Sequence, residues 1–287
     1  MKNPILITAS WLAGRLPQPV LKSVYRFPPL ARLIRRTLNR AAPEGLTSIA
    51  VAGGLLKGCF LEIDLQTEKD LWLGTYEPDL QGALATFVNP GAIVYDVGAN
   101  IGYVSMMCAK CAGPEGKVFA FEPLPDNQQR FMRTLALNQL QDRVVLVNKA
   151  VGRSTGSTTF WVHASTSMGR LDSVMPENGQ FQRSIDIEIV SLDDYIYTQG
   201  HPVPDVIKLD IEGGEVDALP GMQRLLKEGR PLLLVEVHGT EAGKVVWQEL
   251  KEAGYKLYWM RKGYPAVNDS EALQGKTYVV GQPQEAV

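Results

Sequence analysis

The sequence has little cysteine, no long apolar run, and no acid in its first 43 residues. Each shortage excludes something. Three cysteines in 287 residues, Cys59, Cys108 and Cys111, form no zinc or redox spacing, and an odd number argues against the disulfide framework of a small secreted protein. A reducing cytoplasm suits this usage. No stretch approaches the roughly 20 apolar residues of a spanning helix. Segment 5–14 is interrupted by Thr8 and Ser10 and lacks a convincing cleavage site, so it reads as neither anchor nor signal peptide. Internal repeats and low-complexity tracts are missing too. What is present, 45% apolar and 21% charged residues, is the composition of a chain that buries a sizeable core. The length suits one large α/β domain with an appendage.

The missing acids leave a charge asymmetry. Lys2, Arg15, Lys22, Arg26, Arg32, Arg35, Arg36 and Arg40 give residues 1–43 a charge of +8, so a formal net charge of −2 leaves −10 on the remainder. After "FPP" at 27–29, Leu30, Leu33, Ile34, Leu38 and Ala41 alternate with arginines at helical spacing. The pattern predicts an amphipathic helix with a cationic face. Such a helix suits either anionic lipid, which would place the protein at the inner face of the membrane, or docking of its apolar stripe on its own domain or in a homodimer. Nucleic acid is the weakest partner, since the rest of the chain is acidic and no basic-aromatic pattern occurs.

Residues 48–65, "SIAVAGGLLKGCFLEIDL", read as two strands about a Gly-Gly turn. "EPDLQGALATFV" at 77–88 reads as a helix ended by Asn89, Pro90 and Gly91. From there "AIVYDV", "KVFAFEP", "RVVLVNKAV", "DVIKLDI" and "PLLLVEV" read as buried strands. Helices at "YVSMMCAKC", "DNQQRFMRTLALNQL", 214–227 and "EAGKVVWQELKEAG" are interleaved with them. Continuous apolar strands in this order imply a parallel sheet covered on both faces. Residues 154–191 break the rhythm with strands at "STTFWVH" and "IDIEIVSL" around a polar loop. At about 20 residues that loop is of a length often tied to function, here as a cover for the site. "YKLYWM" and "KTYVVG" follow as consecutive strands, allowing an antiparallel edge. The chain thus divides into a basic helical extension, 1–45, and a main domain, 46–287, with 46–90 as its opening hairpin and helix and 154–191 as an inserted hairpin and loop.

"IVYDVGANIG" at 93–102 ends a core strand on Asp96 and turns on Gly98 and Gly102. In a doubly wound sheet this is a switch point, where ligands sit beyond the carboxyl ends of strands. The glycines permit close backbone approach, and Asn100 tolerates positive φ. A dinucleotide site would show G-x-G-x-x-G for a pyrophosphate. Here an acid leads and the glycines are four apart, which with the consecutive final strands disfavours an NAD-dependent oxidoreductase. Asp96 suits the ammonium of an amino-acid-bearing ligand, and Glu122, ending the second strand, suits a ribose diol.

"DVGANIGYVS", "FEPLPDN", "VNKAVG", "SLDDYI", "IKLDIEGGE" and "LLLVEVHG" together resemble, in order and spacing over roughly residues 75 to 282, the FkbM-type methyltransferases. These are S-adenosylmethionine-dependent enzymes of the Rossmann-like class I fold. The resemblance implies an α/β fold with a seven-stranded, mostly parallel sheet in the order 3-2-1-4-5-7-6, the last strand antiparallel. It also implies O-methylation of a hydroxyl on a sugar, polyketide or other small molecule. Carried over by position, Asp96, Gly98, Asn100 and Gly102 would line the methionine and ribose of the donor. Glu122, with Pro123 beside it, would hold the ribose, and Tyr76 and Glu77 would close over the donor.

Methyl transfer requires alignment of the attacking oxygen and a group to take its proton. Strand alternation puts Lys208 with Asp210, and Glu236 with His238, on common faces near the donor. Lys208, in an apolar strand, needs a carboxylate partner if buried, with Asp210 and Glu236 as candidates, and reads as a positioning residue. His238 suits a general base by its ordinary pKa near 6.5, with Asp210 as the rival and a merely structural histidine as the plain alternative. Glu212 would cap the next helix or bind substrate, and His163 and His201 read as structural. A divalent metal on Asp210, Glu212, Glu236 or His238 is chemically reasonable but not favoured. The competing function is a noncatalytic binding or assembly protein recruited through the basic helix.

Overall fold

The computed structural model describes residues 4–13, 15, 28–163, 169–171 and 181–284. Helices α1 (Pro4–Ala13) and α2 (Pro28–Ala41) precede an antiparallel hairpin of β1 (Leu46–Ala50) and β2 (Phe60–Asp64). The arginine-rich segment is helical as its spacing predicts, and its inner stripe docks on the domain: Leu38 is buried, with Ile34 and Ala41 packed against the main core. A short helix, α3 (Lys69–Leu73), and α4 (Pro78–Phe87) lead to β3 (Ile93–Val97), α5 (Tyr103–Ala112), β4 (Lys117–Phe121), α6 (Pro125–Asn138) and β5 (Val144–Val147). Next come β6 (Ala150–Val151), β7 (Gly156–His163), β8 (Gly169–Leu171) and β9 (Phe181–Val190). The chain continues with β10 (Val206–Leu209), α7 (Glu215–Ala218), β11 (Leu232–His238), α8 (Thr240–Glu252), β12 (Tyr255–Trp259) and β13 (Lys276–Pro283).

Seven strands form the central sheet in the order β12-β13-β11-β10-β3-β4-β5. Numbered by position among the seven, this is 3-2-1-4-5-7-6, and β13 runs antiparallel to both neighbours. The sheet is parallel from β5 to β11 because its strands are apolar on both faces. Val94, Val118, Val144 and Val206 point into one layer, with Met106, Met107 and Cys108 of α5. Tyr95, Phe119, Phe121, Ile207 and Leu209 point into the other, with Val246 and Leu250 of α8. Burial of each such side chain contributes roughly 1.5–3 kcal/mol. Four more strands, β6-β9-β7-β8, form a second sheet.

Three elements differ from expectation. "RVVLVNKAV" is two strands in two sheets, because the chain doubles back where Lys149 N–H donates to the Val147 carbonyl at 2.8 Å. Helix 214–227 is instead α7, a 3-10 turn (Leu219–Met222) and a π-type turn (Leu225–Gly229). Pro220 lacks an amide hydrogen, and Gly221 abuts the Gly152 carbonyl so closely that a Cβ would lie 2.1 Å from it. Helix α3 has five residues, too few to show a period. In the 154–191 insertion, both strands form, and β8 lies within the polar loop; residues 164–168 and 172–180 of that loop lie outside the described residues.

Candidate active site

A cavity of about 360 Å³ opens at the carboxyl ends of β3, β4 and β10, within the size range of small-molecule sites. The turn after β3 supplies Gly98, Ala99 and Asn100, the end of β4 supplies Glu122 and Pro123, and the end of β10 supplies Asp210 and Glu212. Tyr76 lines it from the start of α4, and Ala150, Val151 and Phe160 from the second sheet. Gly98 has φ 81°, and a Cβ there would lie 1.9 Å from the Asp210 carbonyl oxygen. Glycine thus lets the turn press against the end of β10. Glu122 holds the turn from the other side. Its Oε2 accepts from Asn100 N–H at 2.8 Å, and its Oε1 accepts from Leu124 N–H at 2.9 Å and Asn127 Nδ2 at 3.1 Å. Burial raises its pKa against these three donors. A carboxylate offers about four acceptor positions, so three N–H bonds leave Oε2 with one further position at the cavity wall.

Beneath the turn lies a buried charge network. Lys208 and Asp96 are register partners on adjacent parallel strands and are 3% and 0% exposed at their side chains, with Nζ 3.1 Å from Oδ1. Asp96 Oδ2 accepts from the Ser105 hydroxyl at 2.5 Å. Lys208 Nζ also lies 3.6 Å from Asp210 Oδ2 and donates to the Gly98 carbonyl at 2.8 Å. Burial opposes the Lys208 charge, but Asp96, Asp210 and Glu77 outweigh it and raise its pKa. The nearest carboxylate is therefore Asp96, then Asp210; Glu236, a candidate from sequence, pairs elsewhere.

Glu236 Oε1 lies 3.0 Å from His238 Nε2 and pairs with the Lys276 ammonium. His238 Nδ1 lies 3.0 Å from Glu215 Oε1, and its Nε2 lies 3.6 Å from Glu212 and 3.8 Å from Asp210. Burial works against the imidazolium, but the bonds to Glu215 and Glu236 push its pKa up to about 10. His238 is thus a cation at neutral pH rather than a ready base. Burial chiefly raises the Asp210 pKa, against Lys208. Glu77 rises to about 7 through burial and the nearby Asp210 and Glu236. Burial also opposes the Glu236 charge, but His238 and Lys276 hold its pKa below normal.

The structure brings Tyr76, Gly98, Asn100, Glu122, Pro123, Lys208, Asp210 and Glu212 to the cavity wall. Asp96 sits below, closed off behind Lys208 and Ser105. Gly102 faces the Phe131 ring, 2.1 Å from where a Cβ would be, so it packs α5 on α6. Glu77 does not line the cavity; burial, and then the charge of Glu77 close by, raise the Tyr76 phenol's pKa, while Glu236 and His238 form the layer behind Asp210. Glu212 does not cap α7: the carboxylate that closes that turn is Glu215, accepting from Ile211 and Gly213 N–H. His201 stacks on Tyr195 with centroids 3.8 Å apart. The His163 side chain lies outside the described residues. Sequence reasoning missed Glu215, although it ends the quoted "KLDIEGGE". It also missed Lys276, Phe160 and Gln81, whose amide bonds the Gly74 and Tyr76 carbonyls and fixes the turn carrying Tyr76. One potential ligand atom each from Asp210, Glu236 and His238 lie within 4.8 Å of one another, but the Lys276 ammonium already neutralises that cluster.

The doubly wound seven-stranded sheet with a reversed final hairpin has the strand order that the resemblance to FkbM-type methyltransferases implies, with its cavity at the switch point. Residues 96–257, more than half of the chain, match the methyltransferase FkbM domain, and the chain belongs to that family. It is 30% identical over 161 residues to hexuronic acid methyltransferase AglP of Haloferax volcanii, covering 56% of this chain and 62% of that protein. To methyltransferase sdnD of Sordaria araneosa it is 28% identical over 155 residues, covering 45% and 60%. The chain spans about three fifths of these two relatives. The crystal structure of methyltransferase FkbM from Methylobacillus flagellatus KT is 19% identical, with a TM-score of 0.45, over 77% of this chain and 56% of that one.

Proposed function

We propose that the protein transfers a methyl group from S-adenosylmethionine to an oxygen of a small molecule or glycan. The observation that carries this is the cavity wall itself, where a glycine-asparagine turn and Glu122 face the carboxylates Asp210 and Glu212 across the switch point. Its charges fit a cationic donor. Six carboxyl groups, on Glu77, Asp96, Asp210, Glu212, Glu215 and Glu236, surround three cations, Lys208, His238 and Lys276. Gly98 and Asn100 would hold the donor's methionine part, the remaining Glu122 acceptor position its ribose, and Pro123 and Phe160 its base. The donor, when bound, supplies an activated methyl on a sulfonium.

The protein's own task is orientation and proton removal. As oxygen bonds to carbon and the carbon–sulfur bond breaks, Asp210 takes the hydroxyl proton. It is preferred to His238 because it lines the cavity and burial raises its pKa, which strengthens its carboxylate as a proton acceptor. Lys208 and protonated His238 flank it and fix its position. One relative is a hexuronic acid methyltransferase, which makes uronic acids and their glycosides the first acceptors to try.

The test is transfer of isotopically labelled methyl from labelled donor to a panel of sugars, uronic acids and hydroxylated metabolites, with and without chelator. Transfer to oxygen is expected in both conditions. Asp210→Asn should lower kcat by about 10²–10⁴ with donor affinity kept. Donor binding without turnover across the panel, or an undiminished Asp210→Asn variant, would refute the proposal.

A further inference from the structure

We propose that α1 and α2 form a docking surface for an anionic lipid bilayer. On α1, Leu6 is buried and Ala9 packs against the core, whereas Ile7 and Trp11, four residues apart on the opposite side, are 49% and 56% exposed. Ile5 and Leu12 flank them at 43% and 40%. This helix contains no charged residue. On α2, the inner face is held by Leu38 and Ile34. Arg32, Arg36 and Arg40, spaced by four, lie on the outer face with Leu33, which is 62% exposed. Each helix is thus fastened by one stripe and presents the other, apolar on α1 and cationic on α2.

Two signals together, buried apolar area and attraction to anionic headgroups, are what stable interfacial binding takes. Charge selects the occupant. Residues 1–43 carry +8 with no acid, and the remainder carries −10, so an anionic surface attracts this end of the molecule and repels the rest. No helix among the described residues is long and apolar enough to cross a membrane, which leaves binding in the interface plane. The surface also adjoins the cavity: Gln66 Nε2 donates to the Asn39 carbonyl near the end of α2, and the next residues, Thr67 and Glu68, line the cavity. Docking would bring that rim toward acceptors carried on lipid.

The full chain is mixed with phosphatidylcholine vesicles, and with the same vesicles containing phosphatidylglycerol, and sedimented. Binding to the anionic vesicles only, weakened by salt, is expected, with a blue shift of Trp11 emission absent from Trp11→Ser. The triple variant Arg32→Gln, Arg36→Gln, Arg40→Gln should bind on the order of 100-fold more weakly, at about 1 kcal/mol per basic side chain, while keeping a cooperative thermal transition. Equal binding to both vesicle types, or no effect of the triple variant, would overturn the proposal. So would a concentration-dependent dimer in light scattering that Trp11→Ser abolishes, which would assign the surface to a second copy.

Discussion

Replacing Glu122 by glutamine changes one atom and gives a prediction with a definite size. Both carboxylate oxygens accept N–H bonds: Oε1 from Leu124 and Asn127, Oε2 from Asn100. A glutamine amide must place its NH₂ at one of these two sites. At Oε1 it would oppose two donors; at Oε2 it would oppose Asn100 N–H and turn the position proposed for the ribose from acceptor to donor. Either orientation leaves a buried donor without an acceptor, at about 1–3 kcal/mol. The better orientation keeps Leu124 and Asn127 satisfied and releases the Asn100 turn. Unfolding in urea should therefore show a loss of about 1–3 kcal/mol. Donor affinity, measured by calorimetry, should fall by roughly 10- to 100-fold, since the turn and the ribose position are lost together. Wild-type stability and donor affinity in Glu122→Gln would refute the assignment of these oxygens.

Asp96→Ala should act on stability first. It strands the Lys208 ammonium and the Ser105 hydroxyl in the core, and breaking a buried pair costs about 3–5 kcal/mol, with Asp210 at 3.6 Å keeping the loss near the lower end. A denaturant midpoint equal to wild type would contradict it. Glu215→Gln tests the origin of the His238 shift. With its folded pKa raised to about 10 from an ordinary 6.5, His238 binds an extra proton on folding, so its stabilisation is full below about pH 6.5 and is lost as pH rises through about 10. Removing the Glu215 charge should cost about 1.5–3 kcal/mol at pH 7, with the gap to wild type closing toward pH 10. A gap independent of pH would argue that Glu215 only fills space.

Runs such as "AIVYDV" and "PLLLVEV" announce strands buried on both faces, and the consecutive final strands announced the reversed hairpin. The cavity wall was legible where it follows a strand end: Gly98, Asn100, Glu122 and Asp210 stand at positions that a doubly wound sheet sends to one edge. What hid from the sequence were partnerships made by register. Asp96 meets Lys208 across a strand pair 112 residues apart in the chain, and Lys276 lies opposite His238 only because β13 runs antiparallel to β11. Burial chemistry was hidden in the same way. His238 looked like a base at its ordinary pKa, but Glu215 and Glu236 turn it into a cation. The basic helix was readable in itself, while its division into a docked and an outward stripe needed the domain beneath it.

In the proposed reading, the turn after β3 and Glu122 build a pocket for S-adenosylmethionine. That reading is tested most directly by isothermal titration of the folded full chain with S-adenosylmethionine and S-adenosylhomocysteine. One site per chain is expected for each, with affinity in the micromolar range. A protein that shows a cooperative thermal transition and takes up neither ligand would contradict it.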